Sequence, residues 1–311
     1  MTVGTSSSLR GADSQLEFDR QAAKTVLALT TIDADVYGLV ELENVLGNLA
    51  AIDLVGRLNA ANPSRTYLAV SVEAAYDMIG GDVIKVDIVF DSKKLQLLGA
   101  SILEDTLVPA QVALSEEGII FDGRSRVPLA ASLRHLQSGH DLTLVVNHFK
   151  SKGGSGPGQD ADQADGAGNF NHVRTLSSQA LLDWLDTTPT GFSTENIIIM
   201  GDLNAYAMET PITSLTDAGF RSVSTDYSYL FDGQFGSLDY IFVAKKMKVR
   251  RAVTWHINAD EPDLIDYNLD YGRNSSIFDG TVPYRFSDHD PVVVELDLKR
   301  NWFSRIFCWC V

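Results

Sequence analysis

A histidine between two aspartates is the strongest chemical signal in this sequence. Asp288, His289 and Asp290 follow one another directly, and an apolar run at 292–294 begins after Pro291. Burying such charges without partners would cost several kcal/mol, so the triplet is a poor core segment at the mouth of a predicted strand. We therefore interpret it as part of a site that performs chemistry, in which Asp290 and Pro291 shape the turn.

Four further polar clusters lie in or at the ends of predicted strands. They comprise Glu41 with Glu43 and Asn44, Asn147 and His148 with Lys150 and Lys152, Asp202 with Asn204, and Asp239. A single acidic residue at a strand end is usually a cap or a solvated end. Five clusters converge on one place if the sheets align, so their recurrence predicts one composite site.

The oxygen donors in these clusters indicate which metal the site would hold. Hard carboxylate or amide oxygens are offered by Glu41, Asp202, Asn204 and Asp288. Mg²⁺, Mn²⁺ and Ca²⁺ prefer such ligands, whereas zinc sites favour histidine and cysteine. The sequence therefore predicts a partly hydrated divalent cation, Mg²⁺ or Mn²⁺, with Ca²⁺ as a further candidate.

Two histidines, His148 and His289, can transfer protons near neutral pH. A carboxylate bonded to one of them would fix its tautomer and raise its basicity, and Asp239 is the candidate partner of His289. Together with a metal, this set suits the attack of water on phosphorus, so the predicted chemistry is phosphoester hydrolysis. Lys150 and Lys152 would then contact phosphate, with solvated loop lysines as the alternative interpretation.

The remaining histidines do not belong to these clusters. They are His135, His140, His172 and His256. None has metal-ligand partners at a suitable spacing, so we expect structural or surface roles for all four.

Composition limits the classes of partner. The chain has 311 residues, with 41 acidic against 25 basic side chains and a formal net charge of −16. This charge argues against broad, sequence-independent adhesion to nucleic acid. A polyanionic substrate would need a metal ion or a local basic loop.

The sequence gives only weak signals for membrane insertion, export, disulfide bonding or lipid attachment. No window approaches the roughly 18 apolar residues of a membrane span, and residues 1–8 lack the regions of a signal peptide. Cys308 and Cys310 are too close in sequence to staple a domain. The last four residues formally match a prenylation box, but such matches are common by accident, and we interpret them as a ragged tail.

Helix and strand periodicities alternate from about Gln15 onward. Helices are predicted at 18–29, 45–59 and 173–185, and strands at 36–41, 66–70, 84–90, 95–102, 142–148, 196–200, 237–243, 249–255 and 291–298. Stretches 151–171 and 258–286 read as long loops of the functional kind. The pattern favours an α/β or α+β domain over 15–298, after a flexible segment 1–14 and before a short tail 299–311.

The motifs at 38–41, 147–149, 201–205, 238–242 and 287–291 together resemble the endonuclease/exonuclease/phosphatase superfamily, also called deoxyribonuclease-I-like. Within it, the stretches 147–154, 201–206 and 255–262 look like the bacterial secreted nucleases of the ExeM and NucH type. The likeness spans about residues 10–298. It implies a four-layer sandwich of two mixed β-sheets flanked by helices, with the site at one edge.

The resemblance also implies roles for individual residues. Glu41 and Asp288 would bind metal, Asp202 would orient or activate water, and Asn204 would contact phosphate or metal. His148 would be the general acid or a phosphate-side histidine, and His289, paired with Asp239, the general base or a phosphate ligand. Substrate contacts are expected from Asn147, Arg126, Lys150, Lys152 and Arg174.

The sequence departs from the family pattern at the first central strand. Family members begin with a central strand that ends in an asparagine, yet nothing before Gln15 is apolar enough to form it. The resemblance therefore predicts a missing strand, exposed sheet edges and one lost ligand, either because the chain is truncated or because the strand is replaced.

Three functions remain open at this point. The first is a metal-dependent nuclease, an endonuclease acting on DNA or also on RNA, monomeric and exported as its family usually is. The second is a phosphatase or phosphodiesterase acting on phospholipid or inositol phosphate headgroups, since fold does not determine substrate. The third is a truncated homologue that binds nucleic acid without turnover.

Overall fold

The computed structural model of the chain describes residues 11–70, 79–105, 120–121, 123–224 and 226–298, together with the backbone of 303–310. Most of the predicted flexible segment 1–14 lies outside these ranges. The helices are α1 (Gln15–Ile32), α2 (Leu49–Ala61), α3 (Asn171–Asp186) and α4 (Thr210–Asp217). None of the helices in these ranges has the length and apolar character to cross a membrane.

The strands form two six-stranded sheets and one hairpin. Sheet A contains, in spatial order, β12 (Lys248–Thr254), β13 (Val292–Asp297), β14 (Phe303–Cys310), β1 (Val36–Glu43), β3 (Ile84–Asp91) and β2 (Tyr67–Ala69). Sheet B contains β4 (Leu95–Ile102), β5 (Arg126–His135), β6 (Asp141–His148), β7 (Ile197–Asp202), β11 (Asp239–Ala244) and β8 (Phe220–Ser222). The hairpin pairs β9 (Tyr229–Phe231) with β10 (Gln234–Gly236).

The two sheets pack face to face, and helices cover their outer faces. Gly38 of β1 marks the closest approach, because a Cβ there would lie 2.8 Å from both Met200 Cε and Val146 Cγ2 of sheet B. Helix α2 contacts the strands of sheet A and α1, whereas α3 contacts α4, which packs on β8. The predicted four-layer sandwich of two mixed sheets is confirmed.

Strand β14 corrects two predictions made for the C-terminal end of the chain. Its backbone pairs in parallel with β1, with Val40 opposite Cys310, and antiparallel with β13, with Val292 opposite Cys308. We predicted a short tail over 299–311, ragged at its last four residues, and exposed sheet edges where a central strand was missing, but the backbone of 303–310 fills the centre of sheet A. Unpaired strands leave costly backbone donors and acceptors, and a segment rich in aromatic residues can satisfy them.

Strand β5 was not among the predicted strands. Proline is uncommon inside a paired strand, which weakens the strand pattern around Pro128. The structure accommodates it by a register shift against β6 between Arg126 and Leu129. A bulge thus lets an apolar but proline-containing segment enter the sheet.

Helix α1 holds the long loop 258–286 in place through hydrogen bonds. The side chain of Lys24 is buried, and its Nζ donates to the backbone carbonyls of Ile265 at 2.6 Å and Tyr284 at 2.5 Å. Glu17 accepts from the backbone N–H of Leu269 at 2.6 Å. These bonds hold the loop that leads into Asp288 and His289.

Candidate active site

The register of sheet B brings three predicted catalytic residues into one row. His148 ends β6 and lies opposite Asp202, which ends β7. Asp202 lies in turn opposite Asp239, the first residue of β11. Strands β6 and β7 are parallel and β11 is antiparallel to them, so two strands end and one begins at this edge.

His289 is held against this row by a buried carboxylate. Its Nδ1 lies 2.7 Å from Asp239 Oδ2, and both side chains are almost completely buried. Burial opposes protonation of the imidazole, but the charge and hydrogen bond of Asp239 outweigh it and raise the pKa of His289 well above its ordinary value. The sequence analysis predicted this pairing, and the structure places the two residues in contact.

Asp202 is buried and holds its proton more tightly than an ordinary aspartate does. It accepts hydrogen bonds from the backbone N–H and the side-chain Nδ2 of Asn204, both at 2.8 Å. Burial raises the pKa of Asp202 to about 8, and the charges of Asp239 and Glu41 add to this rise. Asn204 has a positive φ of 49°, a conformation that asparagine tolerates better than most residues.

His148 lies between Asp202 and Glu41. Its Nε2 is 3.5 Å from Asp202 Oδ2 and 3.9 Å from Glu41 Oε1. Burial is the main cause that holds its pKa well below the ordinary value, and the nearby guanidinium of Arg126 lowers it further. Arg126 Nη1 lies 3.5 Å from the same ring nitrogen, and Arg126 Nε forms an ion pair with Asp82 at 3.0 Å.

Glu41 is presented to the site by an irregularity in β1. The pairing of β1 with β3 shifts register between Leu39 and Leu42, and Glu41 adopts a positive φ of 61°. Such bulges often re-aim a side chain, and non-glycine residues in this region store about 1–3 kcal/mol of strain. The Glu41 side chain is 43% exposed and so is accessible to a ligand.

The oxygen donors of the site suit Mg²⁺, which needs only one or two protein carboxylates, better than a metal held by three or more protein side chains. No group of three or more His, Cys, Asp and Glu side chains among the described residues has the arrangement of a metal cage. Mg²⁺ commonly takes one or two carboxylates and completes its shell with water and phosphate. Desolvation raises the pKa of Glu41, and repulsion from the exposed Asp288 raises it further. A cation between these two carboxylates would remove that repulsion.

Two of the five predicted substrate contacts are fully enclosed by protein. Asn147 Nδ2 donates to the carbonyls of Val145 and Met200, and the side chain is 0% exposed. Arg174 is also 0% exposed, and its guanidinium donates to backbone carbonyls of the 150–169 loop. These polar groups satisfy buried backbone rather than face solvent, so the structure does not bring either side chain to the exposed part of the site, and their substrate contact stays a prediction.

The two lysines of the same loop are engaged within the protein. Lys152 Nζ contacts both carboxylate oxygens of Glu209, at 2.6 and 2.7 Å. Lys150 Nζ lies 4.2 Å from the ring centroid of Phe170 and bonds to Ser151. Of the predicted substrate contacts, Arg126 alone lies within hydrogen-bonding reach of a predicted catalytic side chain.

Two residues of the site were missed by the sequence analysis. Ser228 is buried and donates its hydroxyl to Asp239 Oδ2 at 2.6 Å, beside the bond to His289. Tyr229 stacks on the His289 ring, with centroids 4.4 Å apart. No local pattern identifies Ser228, but Asp232 and Gly233, between two short runs containing aromatic residues, are a hairpin signal that could have located Tyr229.

Asp290 organises the turn, the role we predicted for it. Its Oδ1 accepts from the backbone N–H groups of Ile257, Asn258 and Ala259 at 2.8–3.1 Å. Its Oδ2 contacts His256 Nδ1 at 2.8 Å. Asp290 therefore joins the start of β13 to the loop after β12 and leaves the neighbouring His289 and Asp288 at the site.

No protein-family model and no curated protein matches this sequence. Solved structures do match it. An endonuclease/exonuclease/phosphatase from Bacteroides vulgatus aligns with a TM-score of 0.57 at 12% identity, covering 91% of this chain and 92% of that chain. A mannosyl-6-phosphatase from Bacteroides thetaiotaomicron gives 0.55 at 13% identity, covering 90% and 91%.

TDP2 from D. rerio, complexed with a single-strand DNA product, aligns with a TM-score of 0.51 at 15% identity, covering 89% of this chain and 91% of that chain. These likenesses show that the chain has the endonuclease/exonuclease/phosphatase fold. Since one fold supports many activities, the function must be argued from the residues of the site.

Proposed function

We propose that this protein is a divalent-metal-dependent phosphodiesterase that cleaves nucleic acid, and that DNA is its substrate. The observation that carries the proposal is the buried His289–Asp239 pair, with its 2.7 Å contact. It lies in one row with Asp202 and His148, beside the exposed carboxylates Glu41 and Asp288. Such a site offers a cationic group, a base and a place for a metal ion.

Asp202 is the proposed base for the attacking water. A carboxylate whose pKa is raised to about 8 is a much stronger base, once ionised, than an ordinary aspartate. The two hydrogen bonds from Asn204 hold its oxygens in place. Asn204 is therefore proposed to position the base, with its Nδ2 also donating to the carbonyl of Phe149.

His289 is proposed to act as a cation rather than as the base. Asp239 occupies its Nδ1 and favours the protonated ring, which leaves Nε2 as the nitrogen that can donate to a phosphate oxygen. A fixed positive group is most effective where negative charge accumulates in the transition state. Of the two roles implied by the family resemblance, the phosphate ligand is thus the better supported.

His148 and Arg126 are proposed to lie on the leaving-group side. The low pKa of His148 means that its ring is neutral at pH 7, so it can take up the proton that Asp202, 3.5 Å away, removes from water and pass it to the leaving oxygen. Arg126, 3.5 Å from that ring, supplies the neighbouring positive charge. When bound by Glu41 and Asp288, Mg²⁺ or Mn²⁺ would neutralise charge on the phosphate; Ca²⁺ is a further candidate.

Two observations leave substrate choice to experiment. One protein of this fold is a mannosyl-6-phosphatase and another was solved with a single-strand DNA product. The proposed likeness to exported nucleases of the ExeM and NucH type rests on the stretches 147–154, 201–206 and 255–262, and the exported state is proposed on the same basis. A monomer is proposed as well.

The decisive test is a plasmid-nicking assay with Mg²⁺, with chelator, and with His289→Ala. His140→Ala is the matched control, because His140 directly precedes β6 whereas His148 ends it. The two histidines therefore lie at the two ends of the same strand. We expect Mg²⁺-dependent nicking that is lost with chelator and in His289→Ala but kept in His140→Ala. Parallel arms with phospholipid, inositol phosphate and mannose 6-phosphate test the second function. Cleavage of one of these without nicking would replace DNA as the substrate, and no cleavage of any would indicate a non-catalytic homologue.

A further inference from the structure

A row of aromatic rings leads away from His289 along one strand of the hairpin. Tyr229 stacks on the His289 ring at 4.4 Å with an interplanar angle of 30°. Phe231 follows two residues later, with its ring 6.4 Å from that of Tyr229 and an interplanar angle of only 12°. The row begins in the proposed active site and ends in solvent, because Phe231 is 63% exposed.

A second set of rings supports the other strand. Phe235 of β10 contacts Tyr227 at 4.6 Å, and Tyr227 stacks on His256 at 4.0 Å with an interplanar angle of 20°. His256 is itself held between Asp290 at 2.8 Å and Asp226 at 3.3 Å.

Phe235 lies on the opposite face of the hairpin from Phe231, because it pairs with Leu230 whereas Phe231 pairs with Gln234. Its contacts therefore hold the hairpin from the other face, which limits the entropy lost when a ligand stacks on Tyr229 and Phe231.

The turn of the hairpin is tight. Asp232 and Gly233 have φ values of 50° and 75°, as a two-residue type I′ turn requires. The turn places Phe231 at the tip of the hairpin, on the same face as Tyr229. Exposing a phenylalanine at the end of a ring row that starts at the buried His289–Asp239 pair has no benefit for folding, so a ligand is the better explanation.

The negative charge near the rings restricts the class of ligand that could stack on them. Acidic side chains lie beside the rings. Asp226 contacts His256, Asp260 accepts a hydrogen bond from the Tyr227 hydroxyl, and Asp232 follows Phe231 in the turn, while the whole chain carries −16. Phosphate groups and anionic lipid surfaces are repelled by such a surface. The flat faces of nucleobases are uncharged, stack on aromatic rings and are accessible only where bases are unpaired.

We propose, building on the proposed function, that Tyr229 and Phe231 form a stacking platform for unpaired nucleobases next to the scissile phosphate. The platform adds base contacts to the few phosphate contacts that His289 and Arg126 offer in this acidic protein. Each stacked base contributes about 1–3 kcal/mol, and 1.4 kcal/mol corresponds to about tenfold in Kd. The protein should thus favour single-stranded or locally opened substrates over intact duplex.

The test compares two single strands with the same number of phosphates, an oligothymidylate and an abasic strand, by fluorescence anisotropy in chelator. We expect the wild-type protein to bind the base-bearing strand at least tenfold more tightly. Phe231→Ala should lose most of that preference, whereas Phe231→Tyr, which keeps a ring, and Phe235→Ala, on the other face of the hairpin, should retain it. Phe192→Ala is the matched control, since Phe192 is 41% exposed and lies in the loop before β7, at the strand end opposite Asp202.

Equal wild-type affinity for the two strands would overturn the platform, as would an undiminished preference in Phe231→Ala. Loss of binding to phosphatidylcholine vesicles in that variant, without loss of the strand preference, would reassign the rings to lipid. Circular dichroism confirms that each variant is folded. Cleavage by the wild-type protein in Mg²⁺ is scored separately, so a strand preference without cleavage would reject the proposed function and leave the platform standing.

Discussion

The two ends of strand β1 carry buried charge of opposite character. At its start, Arg65 contacts Asp33 at 2.8 Å, Asp35 at 2.5 Å and Asp91 at 3.0 Å, and Lys94 contacts Asp35 at 2.6 Å. We call these five residues the paired cluster. The hydrogen bonds that Arg65 donates to the three aspartates outweigh burial and raise the pKa of Arg65.

At the far end of β1, carboxylates face one another instead of cations. The pKa values of Glu41 and Asp202 are both raised, and His289 is the cation that offsets them in part. Both ends are built on the same strand, yet one satisfies its charges internally and the other does not. Unbalanced charge costs stability, and proteins keep it where a ligand or a reaction uses it.

The largest expected effect is the loss of catalysis when the His289 partner is neutralised. Asp239→Asn keeps the shape of the side chain but removes the charge that favours protonated His289. We expect the DNA cleavage rate to fall by about 10²–10⁴-fold, the range typical of a catalytic proton-transfer or charge-stabilising group. Asp217→Asn, an exposed residue at the end of α4, is the control. A near wild-type rate for Asp239→Asn would remove the pair from the mechanism.

Breaking the paired cluster should affect folding and not chemistry. Arg65→Met leaves buried Asp35 and Asp91 without their main partner, which costs about 3–5 kcal/mol of unfolding free energy. The control is Arg57→Met, whose ion pair with Asp53 is more than a third exposed and contributes at most about 1 kcal/mol. Urea unfolding measures both. Similar losses in the two variants would contradict the distinction between buried and exposed pairs.

A smaller effect should appear in the pH dependence of stability. Asp202 has a pKa of about 8 when folded and an ordinary value of 3.8, so the folded state binds its proton more tightly. Stability therefore falls as pH rises towards 8, by at most about 1.4 kcal/mol per pH unit for one group. The raised pKa of His289 has the same sign in this window, while the lowered pKa of His148 matters only below about 6.5.

Urea unfolding of the metal-free protein from pH 6.5 to pH 8 measures this slope. Asp202→Asn, which cannot titrate, should flatten it, and Asp217→Asn should not. An unchanged slope in Asp202→Asn would mean that the buried carboxyl does not hold its proton at neutral pH.

The smallest effect is expected from the second cation of the paired cluster. Lys94 is 43% exposed, and Arg65 still balances Asp35 when Lys94 is replaced. Lys94→Met should therefore cost less than about 1 kcal/mol of unfolding free energy. A loss as large as that of Arg65→Met would show that the cluster depends on both cations.

Sequence reasoning located most of the composite site because its residues lie at strand ends. Apolar strands with polar ends are local patterns, and parallel neighbours bring those ends to one edge. His148, Asp202, Asp239 and His289 could therefore be named before the structure. The roles of Asn147 and Arg174 could not, because a polar residue in a site motif looks the same whether it faces solvent or a buried carbonyl.

The sequence by itself determined the class of fold, the acidic surface and the candidate catalytic row, all of which depend on composition and short-range periodicity. Only the tertiary structure decided that residues 303–310 lie between β1 and β13. It also decided that Ser228 supports Asp239 and that an aromatic hairpin lies beside His289. These features join residues far apart in the chain, and the free energy of such contacts depends on the unpaired strand, buried carboxylate or exposed ring that the rest of the fold presents.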